Sequence, residues 1–404
     1  MALVVQKFGG SSLADADRIR SVAHRVVETY RAGNGVVVVV SAMGKSTDQL
    51  IALATEIAEV PHPREMDMLL TAGERISMAL VAMAIRAEGV PAVSFTGSQA
   101  GILTTADHGR AEILDIRAFR VRESLDEGKV AIVAGFQGVS ADSKDVTTLG
   151  RGGSDATAVA LAASLEADLC EIYTDVDGVF TADPRVVPSA HKLDEVTFEE
   201  MLELANAGAG VLMPRSVEFG IRYNIPIHVR SSFHGGEGTW VKEETMEEPV
   251  IRGIAHDDSE AKLTVYGVPD QPGIAAAVFE PMAAAGVNVD MIVQNVSSRG
   301  ITDISFTVPV GSAAKAVAVA KEIAAEIGAV GVDLDTDISK ITVVGAGMKA
   351  ESGVAATMFR ILSDAGINIE MISTSTIRIS CIVRGGDTRA AIEALHHTLI
   401  GEKQ

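Results

Sequence analysis

The sequence predicts an α/β protein in which a doubly wound, largely parallel sheet is followed by a repeated α+β module. Two observations support the sheet. As far as Arg230, short β-branched runs alternate with helical patterns. These runs are continuously apolar, which is typical of parallel strands covered on both faces. A third observation, an internal repeat in the last part of the chain, predicts the module.

The predicted strands are buried runs separated by helical patterns. They lie at residues 3–8, 36–40, 92–95, 130–136, 169–174 and 226–230. Between the first two, apolar residues spaced i, i+3, i+4 from Ile19 to Tyr30 predict an amphipathic helix that ends at Gly33. A second helix is predicted over 64–87. Thr197 and Glu200 form a capping box, which predicts the start of a third helix.

Composition excludes several classes of protein. The 404 residues include 34 Lys plus Arg and 54 Asp plus Glu, and the net charge of −20 argues against nucleic-acid or anionic-membrane binding. The longest apolar run, 78–85, is far shorter than the ~20 residues that cross a bilayer, and the first residues show no signal peptide. Cys170 and Cys381 predict neither a disulfide framework nor a zinc site. We therefore expect a soluble, cytoplasmic protein.

A change in composition predicts a domain boundary. Residues 234–249 are rich in glycine and charge, so we expect a linker there, after an N-terminal domain at 1–233. Beyond it, residues 263–267 match 341–345, and residues 285–292 match 365–372. Two copies are too few for a solenoid, which favours a paired regulatory module.

Residues 7–12 (Lys-Phe-Gly-Gly-Ser-Ser) join the first strand to the first helix. Glycines let backbone amides approach phosphate oxygens, and a helix N-terminus adds partial positive charge. Lys7 could then contact the β- and γ-phosphates of a nucleotide. The alternative is an ordinary strand–helix turn with an exposed lysine.

Residues 44–47 (Gly-Lys-Ser-Thr) resemble the end of a P-loop, but Val39 occupies the position of its first glycine. The sequence therefore excludes a Walker A motif and leaves Lys7 as the better phosphate-binding lysine. Ser41 and Thr47 remain candidate ligands because they follow a buried strand, where α/β sheets place their sites.

Residues 150–155 (Gly-Arg-Gly-Gly-Ser-Asp) lead into an apolar helix. Glycines before a helix N-terminus can form an anion site, and Arg151 could bind a carboxylate through two hydrogen bonds. Ser154 or Asp155 could instead be only an N-cap, although a cap does not require the Arg-Gly-Gly before it.

Two further features are weaker. Residues 174–185 place carboxylates after a buried strand, where they could bind ribose hydroxyls or Mg²⁺. Arg185 could bind a phosphate. A solvated turn explains Asp177-Gly178 equally well. Glu74, inside the second helix, could bind a substrate ammonium group or lie on the exposed face beside Arg75. The nine histidines show no metal-ligand spacing, so no protein metal-ligand set is predicted.

In this order, the motifs resemble those of the aspartate kinase family over essentially the whole chain. The segments that carry the resemblance are residues 7–12, 41–44, 71–75, 135–138, 147–155 and 174–178. It implies the amino-acid kinase fold, a three-layer αβα sandwich, followed by two ACT modules of βαββαβ topology at 250–335 and 336–404. It also implies Mg²⁺-dependent phosphoryl transfer from ATP to L-aspartate, the first step of lysine, threonine and methionine biosynthesis.

The resemblance further implies a role for each candidate residue. Arg151 would bind the α-carboxylate of aspartate and Glu74 its α-ammonium group, while Asp155 would orient Lys7 or help to hold Mg²⁺. The other substrate ligands would be Thr47, Gly152, Gly153 and Ser154. The nucleotide ligands would be Lys7, Phe8, Gly9, Gly10, Ser11, Ser41, Thr174, Asp175, Phe180, Asp183 and Arg185.

Paired ACT modules imply feedback inhibition by lysine, threonine or both. The expected effector ligands lie in the first module, at the loop before its first helix and on the following turn and strand: Asp270, Gln271, Pro272, Gly273, Ile274, Ala275, Asn288, Asp290, Gln294, Asn295 and Val296. The second module lacks the Asp-x-Pro-Gly loop, so we expect the two modules to differ.

The resemblance also implies how modules and subunits assemble. The first ACT module is expected to be inserted in the second, so that residues 250–255 pair with the last segment. Effector sites at subunit interfaces imply a homo-oligomer, or an α2β2 assembly whose regulatory subunit begins at an internal start near Met246.

Two other functions are compatible with the sequence. One is a glutamate or acetylglutamate kinase, although residues 71–75 and the paired repeat favour aspartate. The other is a non-catalytic amino-acid sensor, against which the combination of Lys7, Glu74, Arg151 and Asp155 argues.

Overall fold

The structure, a computed structural model, describes residues 2–245, 250–295, 300–349, 351 and 353–401. The chain forms two compact units. The first consists of Met1–Phe180, Lys192–Asn206 and Gly210–Glu247, and the second of Thr181–His191, Ala207–Ala209 and Glu248–Gln404.

Strands and helices alternate along the first unit. Its strands are β1 (Leu3–Phe8), β2 (Gly35–Val40), β3 (Ala92–Phe95), β4 (Ile102–Thr104), β5 (Ile113–Ile116), β6 (Val130–Ala134), β7 (Gln137–Ser140), β8 (Val146–Thr148), β9 (Leu169–Thr174), β10 (Glu195–Thr197), β11 (Ile227–Ser231) and β12 (Thr239–Lys242). Its helices are α1 (Ala16–Arg31), α2 (Ser46–Ile57), α3 (Pro63–Ala87), α4 (Phe119–Asp126), α5 (Gly153–Leu165), α6 (Phe198–Asn206) and α7 (Pro214–Tyr223). The six predicted strands are confirmed as β1, β2, β3, β6, β9 and β11.

An eight-stranded sheet organises the first unit. Its order is β10-β12-β11-β9-β1-β2-β6-β3, and every pair from β11 to β3 is parallel. The strands β4, β5, β7 and β8 form a smaller sheet that was not predicted. Each of them has only three or four residues, too few to show a periodic pattern.

Helices cover both faces of the large sheet. On one face, α1 and α3 pack on Val36, Val38 and Val40 of β2. The intervening valines point to the opposite face because side chains alternate along a strand. There α5 contacts β1, β2 and β9, and it is buried on nearly all sides. The unit is therefore the three-layer αβα sandwich that the resemblance implied.

Helix α3 is the core helix of this unit. Within the part of the chain that the structure describes, it alone is long and apolar enough to cross a membrane by length and composition. It packs against α1 and against β2, β3 and β6, and it buries the carboxylates of Asp67 and Glu74. Such packing is typical of a helix inside a globular unit.

The second unit contains two four-stranded antiparallel sheets. Its strands are β13 (Gly253–Asp257), β14 (Glu260–Pro269), β15 (Ile292–Gln294), β16 (Ile301–Pro309), β17 (Gly331–Asp335), β18 (Ile338–Val344), β19 (Met371–Thr374) and β20 (Arg378–Arg384). Its helices are α8 (Ile274–Ala284), α9 (Val310–Ile327), α10 (Val354–Asp364) and α11 (Thr388–Leu399).

The first repeat is complete by itself, whereas the second is not. The first forms the sheet β15-β16-β14-β17 with βαββαβ topology. The second forms the sheet β13-β18-β20-β19, in which β13 comes from the chain before the first repeat and pairs with β18. This pairing is the one expected if the first module is inserted in the second.

Two boundaries differ from the sequence prediction. The predicted linker at 234–249 contains β12, which pairs with β10 and β11. This strand has only four residues and lies between glycines and charged residues, so the sequence pattern did not predict it. Residues 181–191, predicted within the N-terminal domain, belong to the second unit, where Ala182 and Val187 join the hydrophobic core.

Candidate active site

A cavity of about 300 Å³ lies in the first unit, where the loops after β1, β2 and β6 meet the N-terminus of α5. This is the edge where parallel α/β sheets bind ligands. The residues that line it are Lys7, Gly9, Gly10, Ser41, Ala42, Gly44, Thr47, Glu74, Phe136, Gly150, Arg151, Gly152, Gly153, Ser154 and Asp155.

Lys7 and Asp155 form a buried ion pair in the wall of this cavity. Lys7 Nζ lies 2.5 Å from Asp155 Oδ1, and each side chain is only 10% exposed. The lysine comes from β1 and the aspartate from the first turn of α5. The alternative of an exposed lysine is therefore wrong.

Gly10 lets the loops after β1 and β2 approach each other closely. The Gly44 N–H donates to the Gly10 carbonyl oxygen at 2.9 Å. A Cβ on Gly10 would lie 2.9 Å from the Ala42 carbonyl oxygen and 3.0 Å from that of Gly44. A larger residue would push the two loops apart, so the glycine pattern reflects this approach.

Helix α5 directs its N-terminus at the cavity. It begins at Gly153, after Gly152 with a φ of +71°, and a Cβ on Gly152 would lie 1.9 Å from Met213 Cγ. Gly152 is therefore the N-cap, and the alternative that Ser154 or Asp155 is only a cap is wrong. The partial positive charge of the helix end favours a bound anion.

Glu74 is buried, so the alternative that it lies on the exposed face of α3 is wrong. The residue is 3% exposed. Its Oε1 accepts a hydrogen bond from the Ala42 N–H at 3.1 Å, and its Oε2 is buried without a partner among the described residues. Burial raises the pKa of this carboxyl from 4.5 to about 7. A bound ammonium group would supply the missing partner and favour the ionised form.

The cavity brings together most of the predicted substrate and phosphate ligands. These are Lys7, Gly9, Gly10, Ser41, Thr47, Glu74, Arg151, Gly152, Gly153, Ser154 and Asp155. It also contains residues that were not predicted as ligands: Ala42, Gly44, Phe136 and Gly150. Phe136 has a φ of +66°, which is uncommon for a non-glycine residue. Its place in the 135–138 motif was the available signal.

Other predicted nucleotide ligands do not line this cavity. The Phe8 side chain is buried on the opposite face of the sheet, stacked on Tyr173 with ring centroids 4.7 Å apart, so a side-chain role for Phe8 is wrong. Ser11 is exposed, and Thr174, Asp175 and Phe180 lie at or beyond the end of β9.

Asp183 and Arg185 belong to the second unit. There the Arg185 guanidinium donates hydrogen bonds to both carboxylate oxygens of Asp183, and this contact lowers the pKa of Asp183. Arg185 is thus already engaged with a carboxylate in this structure.

The residues of the cavity fit a magnesium ion that is held mainly by a nucleotide. Among the described residues, no group of three or more His, Cys, Asp or Glu could hold a metal ion. Mg²⁺ in kinases usually needs only one or two protein carboxylates, with phosphates and water completing its shell. Asp155 is the carboxylate beside Lys7 that could serve.

In the second unit, part of the predicted effector site assembles at one end of the first module's sheet. Asp270, Gln271, Pro272 and Gly273 form the loop before α8, which begins at Ile274 and Ala275. The Thr302 hydroxyl donates to the Asn295 carbonyl oxygen, and Thr302 lies opposite Val268, beside that loop. Gln294 and Asn295 are therefore near the loop.

Asp290 lies toward the other end of the same sheet. Its N–H donates to the Thr307 carbonyl oxygen at 3.1 Å, and its carboxylate is 2.7 Å from Lys340 Nζ. Asn288 is exposed on the preceding turn. Val296, the last predicted effector ligand, lies outside the described residues.

Sequence profiles divide the chain in a similar way. Residues 2–231 match the amino acid kinase family, and residues 263–328 and 341–399 each match an ACT domain. The first match covers more than half of the chain.

Individual proteins similar to this chain share one activity. An aspartokinase of Mycolicibacterium smegmatis is 59% identical over 402 residues, covering 98% of this chain and 96% of its own length. The structure of E. coli aspartokinase III with aspartate and ADP (R-state) is 28% identical, with a TM-score of 0.84 over 98% of this chain and 99% of that chain. The same enzyme with lysine and aspartate (T-state) is 29% identical, with a TM-score of 0.76 and the same coverage.

The burial of Glu74 predicts a pH-dependent cost to stability. A carboxyl whose pKa is raised by folding destabilises the folded state as pH rises from its ordinary value, and the full cost is present above the raised value. Glu74→Gln removes this charge. Relative to the unsubstituted protein, we expect the variant to gain unfolding free energy between pH 4.5 and about 7, reaching up to about 3 kcal/mol.

Chemical denaturation at several pH values measures this difference. The control is Glu56→Gln, which changes an exposed carboxylate on α2 and should show no comparable rise. If the gain for Glu74→Gln stays constant from pH 5 to pH 8, Glu74 does not carry a buried charge.

Proposed function

Because this chain belongs to the aspartokinase family, we propose that its 300 Å³ cavity is where ATP phosphorylates the side-chain carboxylate of L-aspartate. One observation carries this assignment. Lys7, Glu74 and Arg151 line the same cavity, offering a cation for phosphate, an anion for an ammonium group and a cation for a carboxylate. That charge pattern matches an amino acid beside a nucleotide.

Lys7 and the helix N-terminus supply what this reaction needs. The acceptor is a carboxylate, which is already ionised at neutral pH, so no strong base is required. Catalysis therefore depends on alignment and on neutralising charge as the phosphoryl group moves. Lys7 contacts the transferred phosphoryl group, and the N-terminus of α5 faces the same charge. Asp155 holds Lys7 in place through the 2.5 Å ion pair.

Arg151 and Glu74 orient the aspartate. Arg151 binds its α-carboxylate with two hydrogen bonds, and Glu74 binds its α-ammonium group, which provides a partner for Oε2. Thr47 and the backbone of Gly152, Gly153 and Ser154 complete the substrate site. With both α-substituents fixed, only the side-chain carboxylate can reach the phosphate.

Magnesium and the nucleotide occupy the remaining side of the site. Asp155 would be the protein ligand of Mg²⁺, which would neutralise charge on the phosphates. Gly9, Gly10 and Ser41 bind the phosphates through backbone and hydroxyl groups. Thr174, Asp175 and Phe180, which follow β9 next to β1 in the sheet, bind the nucleoside.

Lysine, threonine or both inhibit the enzyme through the first ACT module. Support comes from the E. coli relative solved with lysine and aspartate. The loop at 270–273 lies at the N-terminus of α8, which suits an α-carboxylate. Inhibition requires that the effector bind one arrangement of an oligomer more tightly than another.

The first test of this function measures which amino acid the protein phosphorylates. Hydroxamate formed from the acyl phosphate is measured with aspartate, with glutamate and with no acceptor, and then with lysine and threonine singly and together. We expect product with aspartate, little with glutamate, and inhibition by at least one effector. Preference for glutamate would indicate the alternative kinase, and no product with either acceptor would indicate a sensor.

Replacing Lys7 tests the catalytic assignment. Lys7→Ala should lower kcat about 10³-fold, because it removes the cation that stabilises the transferred phosphoryl group. Lysine or threonine binding, measured by calorimetry, should be unchanged. Lys45→Ala, which removes an exposed lysine from a neighbouring loop, is the control and should retain activity. Near-normal turnover of Lys7→Ala would exclude Lys7 as the phosphate ligand.

The α2β2 assembly is a separate proposal. It requires a second polypeptide that begins at Met246, a residue outside the described part of the chain. Expression of the gene should yield this shorter chain, and Met246→Leu should abolish it while leaving the long chain intact. A single polypeptide in both cases would leave a homo-oligomer as the assembly.

A further inference from the structure

Asp67 is a buried carboxylate that the reaction described above does not use. It lies on α3, and its side chain is only 1% exposed. It accepts a hydrogen bond from His108 Nδ1 at 2.6 Å and one from the Thr148 hydroxyl at 2.5 Å. The Gly109 N–H, 3.1 Å from Oδ1 and 3.2 Å from Oδ2, is shared between the two oxygens. A buried carboxylate with this many donors ties several chain segments to one point.

Two of these segments are also bound to each other. The Ala111 N–H donates to the Thr148 carbonyl oxygen at 2.9 Å. On their other side, Arg215 Nη1 donates to the carbonyl oxygens of Ala111 and Leu149 at 3.1 and 3.3 Å. The chain at 108–111 and the chain at 148–149 therefore form one braced structure, with Asp67 and Arg215 as its two anchors.

This braced structure leads directly into the loop that carries Arg151. Thr148 is the last residue of β8, and Gly150 and Gly152, with φ of +76° and +71°, turn the chain on either side of Arg151. A Cβ on Gly150 would lie 3.1 Å from the Gly109 carbonyl oxygen, so the loop also rests against the segment that Asp67 holds. Movement of Thr148 or Gly109 would move Arg151.

Helix α3 thus contributes to both ends of the proposed amino-acid site. Glu74 lies seven residues after Asp67, about two helical turns along the same face. Glu74 lines the cavity itself, whereas Asp67 holds the segment that leads to Arg151, which also lines the cavity. Helix α3 therefore helps to set the distance between Glu74 and Arg151.

We propose that Asp67 is a positioning residue that determines affinity and selectivity for aspartate by fixing Arg151 relative to Glu74; this inference rests on the proposed roles of those two residues. Glutamate differs from aspartate by one methylene group. If both α-substituents are held at fixed points, that methylene group places the reacting carboxylate out of line with the phosphate, and a displacement of about 1 Å can cost 10²-fold in rate. A loose Arg151 loop would relax this restriction.

The test compares Asp67→Ala and Thr148→Val with the unsubstituted enzyme. Thr148→Val keeps the shape of the side chain and removes one hydrogen bond to Asp67. This variant therefore tests the positioning role even if Asp67→Ala folds poorly. For both variants we expect KM for aspartate to rise about tenfold or more, KM for ATP to stay within twofold, and the preference for aspartate over glutamate to fall.

A matched control separates positioning from general loss of stability. Thr197→Ala removes the capping box of α6, in which the Thr197 hydroxyl accepts from the Glu200 N–H at 3.2 Å. It should lower the melting temperature without changing either KM. If Asp67→Ala and Thr148→Val behave like this control, the positioning role is excluded.

Arg151→Ala, measured in parallel, distinguishes this inference from the proposed function. A large rise in KM for aspartate with Arg151→Ala, but none with Thr148→Val or Asp67→Ala, overturns the role of Asp67 alone. An unchanged KM for Arg151→Ala overturns the role of Arg151 and this inference with it. Parallel rises in all three variants support both.

Discussion

The ion pair between Lys7 and Asp155 is the interaction on which the rest of the active site depends. It joins the end of β1 to the first turn of α5, and both side chains are almost fully buried. Burying two charges is costly, and such a pair is often no more stabilising than an apolar contact. Its presence at the carboxyl end of a parallel sheet is therefore better explained by function than by stability. The Lys7 ammonium group, paired with the single carboxylate of Asp155, can also contact a phosphate oxygen while it stays in the wall of the cavity.

The glycine loops make this arrangement accessible to a ligand. Gly10 and Gly152 are positions where a Cβ would meet backbone or side-chain atoms within 3 Å. Because they have no side chain, the loops after β1 and β2 and the N-terminus of α5 converge around Lys7 and still leave a cavity. The absence of these side chains also leaves the N-terminus of α5 open toward the cavity, so close packing and a site suited to an anion have one structural cause.

In the second unit, the internal repeat produces reciprocal ion pairs between its two copies. Lys262 and Lys340 occupy equivalent positions, and so do Asp290 and Glu370. Lys340 pairs with Asp290 of the first copy, and Lys262 pairs with Glu370 of the second. Each copy therefore provides a cation and an anion to the other. Because Asp290 is bound in this way, its charge serves the contact between the modules, which separates it from the loop at 270–273.

Local patterns were enough to identify six of the eight strands of the large sheet, the glycine motifs and the repeat, because periodicity and backbone freedom depend on neighbouring residues. Long-range packing decided the rest. Glu74 became a buried acid only because α3 lies beneath the loop after β2, and Lys7 found Asp155 only because β1 and α5 are adjacent in space. Residues 181–191 belong to the second unit because Ala182 and Val187 pack in its hydrophobic core. No local pattern in that segment predicts this packing. These contacts form between residues that are far apart in the sequence, so the pattern within a short segment does not predict them.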